Sequence, residues 1–248
     1  MCGRYVSIKS DGDVLRDFDA VDATDDDLYE ADWNIAPTKP VRTVVNRALR
    51  SADGTPAESP TRQLRVMSWG LVPSWAKDRK TQGRMFNARV ESVPDKPAFR
   101  SAYAKRRCLV PADGWYEWQV VDGPDGPIKQ PIYMTPPDGH SIAFAGLYEF
   151  WRDADGPTLS TCTIITTPSV GVLTEIHDRM PLVLPRSGWA RWLDPAVTDP
   201  SDLLRGWDEA GGEHLELRPV ATSVNNVDNN GPALIDRVEA VAEAQTLF

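Results

Sequence analysis

The chain has 248 residues, 41% of them hydrophobic, with a formal net charge of −9 and a pI near 4.9. That length supports one large domain or two small ones, and no apolar run reaches the roughly 18 residues that a membrane-spanning helix needs. The N-terminus lacks a basic segment followed by an apolar one, so no secretory signal is read and a cytoplasmic protein is expected.

In chain order, residues 11–20 predict a surface helix with Leu15 and Phe18 as apolar points, and Asp25-Asp26-Asp27 a solvated turn or helix start. Residues 33–38 end in a rigid turn at Pro37, residues 41–46 read as a strand, and residues 50–62 as a polar hairpin loop. A strand at 64–69 leads into a tight turn, 70–75, that carries Trp75; residues 77–84 form a basic loop. Phe99 and Tyr103 lie four apart in a helix expected over 97–105. Strands follow at 107–111 and 114–118, then a loop at 122–127 and strands at 132–134, 142–150 and 161–166. A short helix is expected at 168–176, a strand at 182–184, helices at 189–193 and 196–207, strands at 215–220 and 223–224, and a helical tail at 232–248. Many short strands with few helices suggest a single α+β domain over 1–232, followed by a tail over 233–248.

Three cysteines, Cys2, Cys108 and Cys162, are an odd and widely spaced set that suits neither a disulfide framework nor a zinc site. Cys108 and Cys162 lie in apolar β-like runs and read as small buried hydrophobes. Cys2 differs. If Met1 is trimmed, Cys2 carries a free α-amine and a thiol on adjacent carbons. Such a 1,2-aminothiol condenses with an aldehyde to an imine and then closes a thiazolidine, and both groups titrate near neutrality, at about 8 and 8.5. Taken by itself, Cys2 reads as readily as a chance residue on a frayed terminus.

Asn87, Arg89 and Glu91 alternate along an apparent strand and would share a face, either a polar site or a solvated edge. Glu117 lies among aromatics in Trp115-Tyr116-Glu117-Trp118; it is either a carboxyl with a raised pKa, fit for acid–base work, or a strand residue pointing to water. His177, in His177-Asp178-Arg179, is a proton shuttle or a surface-loop histidine. His140 and His214 read as ordinary turn residues. No metal-ligand spacing and no glycine-rich phosphate loop is present, so neither metal nor cofactor is expected. Asn34, Pro37, Trp69 and Trp75 offer amide and flat faces suited to bases, although Trp33 and Trp69 suit the core equally well.

The acidic total argues against nucleic-acid binding through a broad basic face. The balance is uneven: Lys 7 against Arg 20, and Asp 25 against Glu 11. Such an Asp-rich, Lys-poor composition resembles proteins of salt-accumulating, halophilic organisms, where the screening length shrinks to about 3 Å at 1 M salt. Binding to a polyanion would then rest on close arginine contacts, stacking and covalent chemistry.

Six segments come in a fixed order: Cys2-Gly3-Arg4-Tyr5, residues 33–38, residues 69–75, residues 87–92, residues 111–118 and His177-Asp178-Arg179-Met180-Pro181. Together they closely resemble the SRAP family, the SOS response-associated peptidases, and the likeness continues through Val227. The resemblance implies a compact α+β domain with a curved, mostly antiparallel, barrel-like sheet. It implies that Cys2, freed of Met1, forms a thiazolidine with the ring-opened aldehyde of an abasic site in single-stranded DNA and so shields it in the DNA damage response. Asn87 would hold the amine or the sugar, Glu117 would assist ring opening and proton transfer, and His177 would shuttle protons. Arg4, Asn34, Pro37, Trp75, Arg89 and Arg179 would face the DNA, with Arg89 and Arg179 on phosphates and Pro37 and Trp75 near the bases. Some members carry a second aromatic after the tryptophan at 75; Ala76 stands there in this chain. A monomer is expected. Two other classes stay open. One is a cysteine peptidase or N-terminal-nucleophile amidohydrolase built on Cys2, with self-removal of Met1 as its limited form and an associated strand-cleaving lyase activity undecided. The other is a nucleic-acid-binding module without chemistry.

Overall fold

The computed structural model describes residues 2–24, 30–50, 55–123, 126–152, 156–205 and 214–240. In chain order the elements are β1 (Tyr5–Ser7), α1 (Asp11–Phe18), β2 (Val21–Asp22), β3 (Asp32–Ile35), β4 (Pro40–Arg50), β5 (Pro56–Trp69), β6 (Asn87–Arg89), α2 (Arg100–Lys105), β7 (Arg107–Ala112), β8 (Gly114–Gly123), β9 (Gly126–Thr135), β10 (Ile142–Arg152), β11 (Thr158–Pro168), β12 (Arg179–Pro181), α3 (Trp189–Leu193) and β13 (Glu216–Pro219), with short 3₁₀ turns between.

β10 sets the architecture. Its run Ile142-Ala-Phe-Ala-Gly-Leu-Tyr148 is buried on both faces, the mark of a strand covered on two sides. Its alternating side chains serve two different cores. Ile142, Phe144 and Tyr148 join Tyr5, Trp69 and Trp115 between two sheets. Ala143, Ala145 and Leu147 join Val14, Phe18, Tyr103, Trp189 and Trp192 beneath the helices. A third, smaller cluster of Val6, Tyr116, Tyr133, Val220, Val224 and Leu234 covers the outer face of the first sheet.

The first sheet runs β13-β9-β8-β1-β3, and the second β12-β11-β10-β7-β4-β5-β2 with β6 beside β11. Pairings are antiparallel except β11 with β5 and β6, and β2 with β5. Because β11 meets β5 at Ser68–Trp69, the second sheet curls into a ring that stops short of a closed barrel. This is the mixed, mostly antiparallel α+β fold that the sequence predicts.

Local chemistry explains the elements. Ser10 caps α1 by accepting from the Asp13 N–H at 3.2 Å. Val14 and Phe18, four apart, bury one stripe, and Phe18 stacks on Trp189 at 4.5 Å. Gly70, at φ +126°, turns the chain out of β5; a Cβ there would lie 2.3 Å from the Gln82 carbonyl oxygen, so only glycine fits.

Several expectations are corrected. Most of the polar stretch read as a loop over 50–62 is strand: β5 begins at Pro56 and pairs with β4 from Pro56 onward, while residues 51–54 lie outside the described residues. Polar composition misled there because this arm pairs through its backbone and is exposed over much of its length. The helix expected over 196–207 is a 3₁₀ turn over Ser201–Arg205, with 206 and 207 outside the described residues. Residues 168–176 hold a 3₁₀ turn at Gly171–Glu175. The strand at 182–184 is an isolated bridge, Phe144 with Val183, and the paired strand is β12, which ends immediately before it at Pro181. Ser223-Val224 lies in a 3₁₀ turn, not a strand. Past residue 232 the chain stays packed: a 3₁₀ turn at Pro232–Ile235 buries Leu234, and Arg237 pairs with Val220. The helical reading of 241–248 and the turn at Asp25–Asp27 fall outside the described residues.

Candidate active site

The site forms at one end of the core between the sheets, where β6, β8 and β12 converge on the segment before β1. Trp115 points into that core from β8, so the alternation of the strand turns Glu117 to the same side. Trp69 is core rather than a stacking platform. Its indole N–H donates to the Phe86 carbonyl at 2.8 Å, fixing the start of β6 immediately before Asn87.

Cys2 is 3% exposed. Asn87 Nδ2 donates to its carbonyl oxygen at 3.0 Å, and its thiol donates to the Arg179 carbonyl at 3.8 Å. Glu117, itself 3% exposed, lies close enough for its charge to act on the thiol. His177 Nε2 lies 4.0 Å from Glu117 Oε2. On the other side of the ring, the Arg179 N–H donates to Nδ1 at 2.9 Å, with the Arg179 carbonyl and Asp178 Oδ1 both at 3.1 Å. The closest partner of Nδ1 is a donor, which assigns the proton of the neutral ring to Nε2, facing Glu117.

Burial raises the Cys2 thiol well above its ordinary range, and the neighbouring Glu117 charge raises it further. Burial also raises Glu117, against the opposing pull of the N-terminal charge, of Cys2 and of His177. The result is a thiol that keeps its proton beside a carboxyl positioned to accept it. Cys2, Asn87, Glu117 and His177, separated widely in sequence, thus meet in one place.

The other sequence-derived candidates divide. Trp75 is 66% exposed and Arg89 is exposed on β6; Pro37 is half-buried in the turn before β4. Asn34 is fully buried, accepting from Arg4 Nη1 at 2.7 Å and donating to the carbonyls of Val224, Asn226 and Asn229. Arg4 also donates to the Val224 and Asn225 carbonyls at 2.7 and 3.4 Å and lies over Trp118 at 5.8 Å. Much of its fork is committed to holding the 222–230 loop. Arg179 forms a two-armed pair with Glu91 and donates to the Thr166 carbonyl at 2.6 Å.

That loop was missed as part of the site. Asn225 Oδ1 accepts from Trp118 Nε1 at 2.7 Å, and together with Glu117, Lys129 and His177 they line an open groove of about 440 Å³. The signals were Trp118, adjacent to Glu117 among the aromatics, and the family likeness that runs through Val227. All three cysteines are unpaired thiols. Among the described residues, no group of three or more His, Cys, Asp or Glu side chains is placed to hold a metal ion, and no helix is long and apolar enough to cross a membrane.

A family model described as SOS response associated peptidase (SRAP) matches residues 1–227. The abasic site processing protein YoqW of Bacillus subtilis is 36% identical over 236 residues, covering 95% of this chain and 99% of that protein. The abasic site processing protein HMCES of Xenopus tropicalis is 32% identical, covering 84% of this chain and 66% of that protein. Among solved structures, a protein from Bacteroides thetaiotaomicron superposes with a TM-score of 0.77 at 21% identity, covering 96% of this chain and all of the other; this likeness concerns the fold.

Proposed function

The chain belongs to the SOS response associated peptidase family, and from that premise we propose that it processes abasic sites in single-stranded DNA by joining them covalently to Cys2. The relatives named abasic site processing proteins support the substrate. The observation that carries the chemistry is the burial of Cys2 beside Glu117, with Asn87 and His177 around them.

With Met1 removed, the Cys2 amine attacks the aldehyde carbon of the ring-opened abasic sugar. The carbinolamine loses water to give an imine. The sulfur then adds to the imine carbon, the thiol proton passes to the nitrogen, and a five-membered thiazolidine closes. The balance is one aldehyde plus one aminothiol giving one thiazolidine plus one water. Glu117, whose pKa burial raises, receives the thiol proton and returns a proton where one is needed. His177 Nε2, facing Glu117, relays protons to the groove. Asn87 Oδ1 is buried without a hydrogen-bond partner among the described residues, and it supplies an acceptor for the Cys2 ammonium. Holding both reactants in such a frame is worth roughly 7 kcal/mol or more of barrier.

The chain is acidic overall, so binding rests on local contacts: Arg89 on a phosphate and Trp75 against a base. We place a monomer on the strand. Intact mass of the protein incubated with an abasic oligonucleotide tests the reading. The expected gain equals the oligonucleotide mass less one water, on a chain lacking Met1, and Cys2→Ser should lose the stable product. A gain absent from the wild-type chain that has lost Met1 would favour an amide substrate instead.

A further inference from the structure

Arg179 connects to the site through its main chain as well as its side chain. Its carbonyl accepts from the Cys2 thiol and faces His177 Nδ1, and its N–H donates to that same nitrogen. Its guanidinium points the other way. Nη1 and Nη2 reach Glu91 Oε1 and Oε2 at 2.5 and 3.2 Å, and Nη2 also reaches the Thr166 carbonyl. That carbonyl accepts from the Val90 N–H at 3.0 Å as well, so the ends of β6, β11 and β12 are tied at a single point. The Arg179 side chain is 12% exposed and the Glu91 side chain 50%.

From this arrangement we infer that Glu91 is a positioning residue: its carboxylate clamps the Arg179 guanidinium, and the Arg179 main chain thereby fixes the Cys2 thiol and the His177 ring. A planar two-armed pair restrains both position and rotation, which a single contact does not. Among the described residues, the hydrogen-bond partner of Glu91 is Arg179 and neither Cys2 nor His177, so its effect passes through Arg179. The pair also neutralises a charge that would otherwise stand open to a phosphate, which leaves Arg89 as the less committed cation on this edge. The inference rests on the crosslinking reading for its kinetic consequence, but its structural half stands apart from it.

The test is Glu91→Gln, a change at a half-exposed position that retains one acceptor, in the full chain. Three quantities are measured: the ¹⁵N shifts of the His177 ring, the affinity for an intact single strand, and the single-turnover crosslinking rate at saturating abasic DNA. The wild-type ring should be mainly the Nε2–H tautomer, and the variant a mixture. The crosslinking rate should fall about tenfold, as expected of small misplacement at a reacting centre, with affinity for the intact strand changed less than about twofold. Restoring a carboxylate with Glu91→Asp should recover part of the rate. An unchanged tautomer together with an unchanged rate overturns the inference. Tighter DNA binding at an unchanged rate also overturns it, and makes Glu91 a competitor of phosphate. If the wild-type chain forms no crosslink at all, the functional reading fails while the tautomer measurement still decides the positioning role.

Discussion

Asn87 donates to the Cys2 carbonyl at 3.0 Å across 85 residues of chain, and this contact holds the second residue inside the protein instead of fraying at its end. Replacing Asn87 by alanine should release the segment. The expected cost to stability is about 1 kcal/mol, but crosslinking at saturating DNA should slow by about 10- to 100-fold. Hydrogen exchange at residues 3–5 together with single-turnover rates checks both effects. A normal rate with a loosened terminus would remove Asn87 from the chemistry.

Glu117→Gln should slow crosslinking and yet stabilise the fold above neutrality. A carboxyl whose folded pKa lies above its unfolded value of about 4.3 holds its proton more tightly in the native state. Its favourable contribution is complete below the unfolded value and is lost as pH rises through the folded one. Burial raises Glu117 in this sense, so ionised Glu117 costs stability at about 1.4 kcal/mol per unit of upward shift. The variant should therefore melt higher than wild type at pH 8, with the gap closing near pH 4. A gap that does not depend on pH contradicts the raised pKa.

Two residues assigned to DNA by resemblance should behave oppositely. Trp75→Ala should leave stability within about 0.5 kcal/mol and weaken strand binding by about 1–3 kcal/mol, because the ring is mostly exposed. Asn34→Ala should destabilise by about 2–4 kcal/mol, since it strands Arg4 and three loop carbonyls. Urea melts beside fluorescence titrations separate the two; equal effects on both would contradict the burial of Asn34.

For Arg89→Ala the expected result is weaker binding with the slope of log affinity against log salt reduced by about 1. A slope identical to wild type would place Arg89 off the phosphates.

Much of this was legible before the structure. The alternation of Asn87 and Arg89 marked β6, while the aromatics flanking Glu117 left burial and exposure equally open, and the structure buries it. Glu91 was misplaced because β6 ends at Arg89 and the chain turns, so two-residue periodicity no longer applied. Its partner, Arg179, lies 88 residues away, and no local pattern announces such a pair. Asn34 was assigned to DNA by resemblance; the carbonyls that hold it in the interior lie 190 to 195 residues on, beyond any local pattern. The stretch 50–62 looked like loop because it is polar, whereas the strand character of residues 56–62 comes from backbone pairing with β4.

The most direct measurement of the central claim uses the purified full chain and a single strand carrying one abasic site, resolved on a denaturing gel at low and high salt beside Cys2→Ala. The account predicts a shifted band that survives denaturation, persists at high salt and is absent from the alanine variant. No shifted band at either salt, from protein shown by mass to have lost Met1, would contradict it.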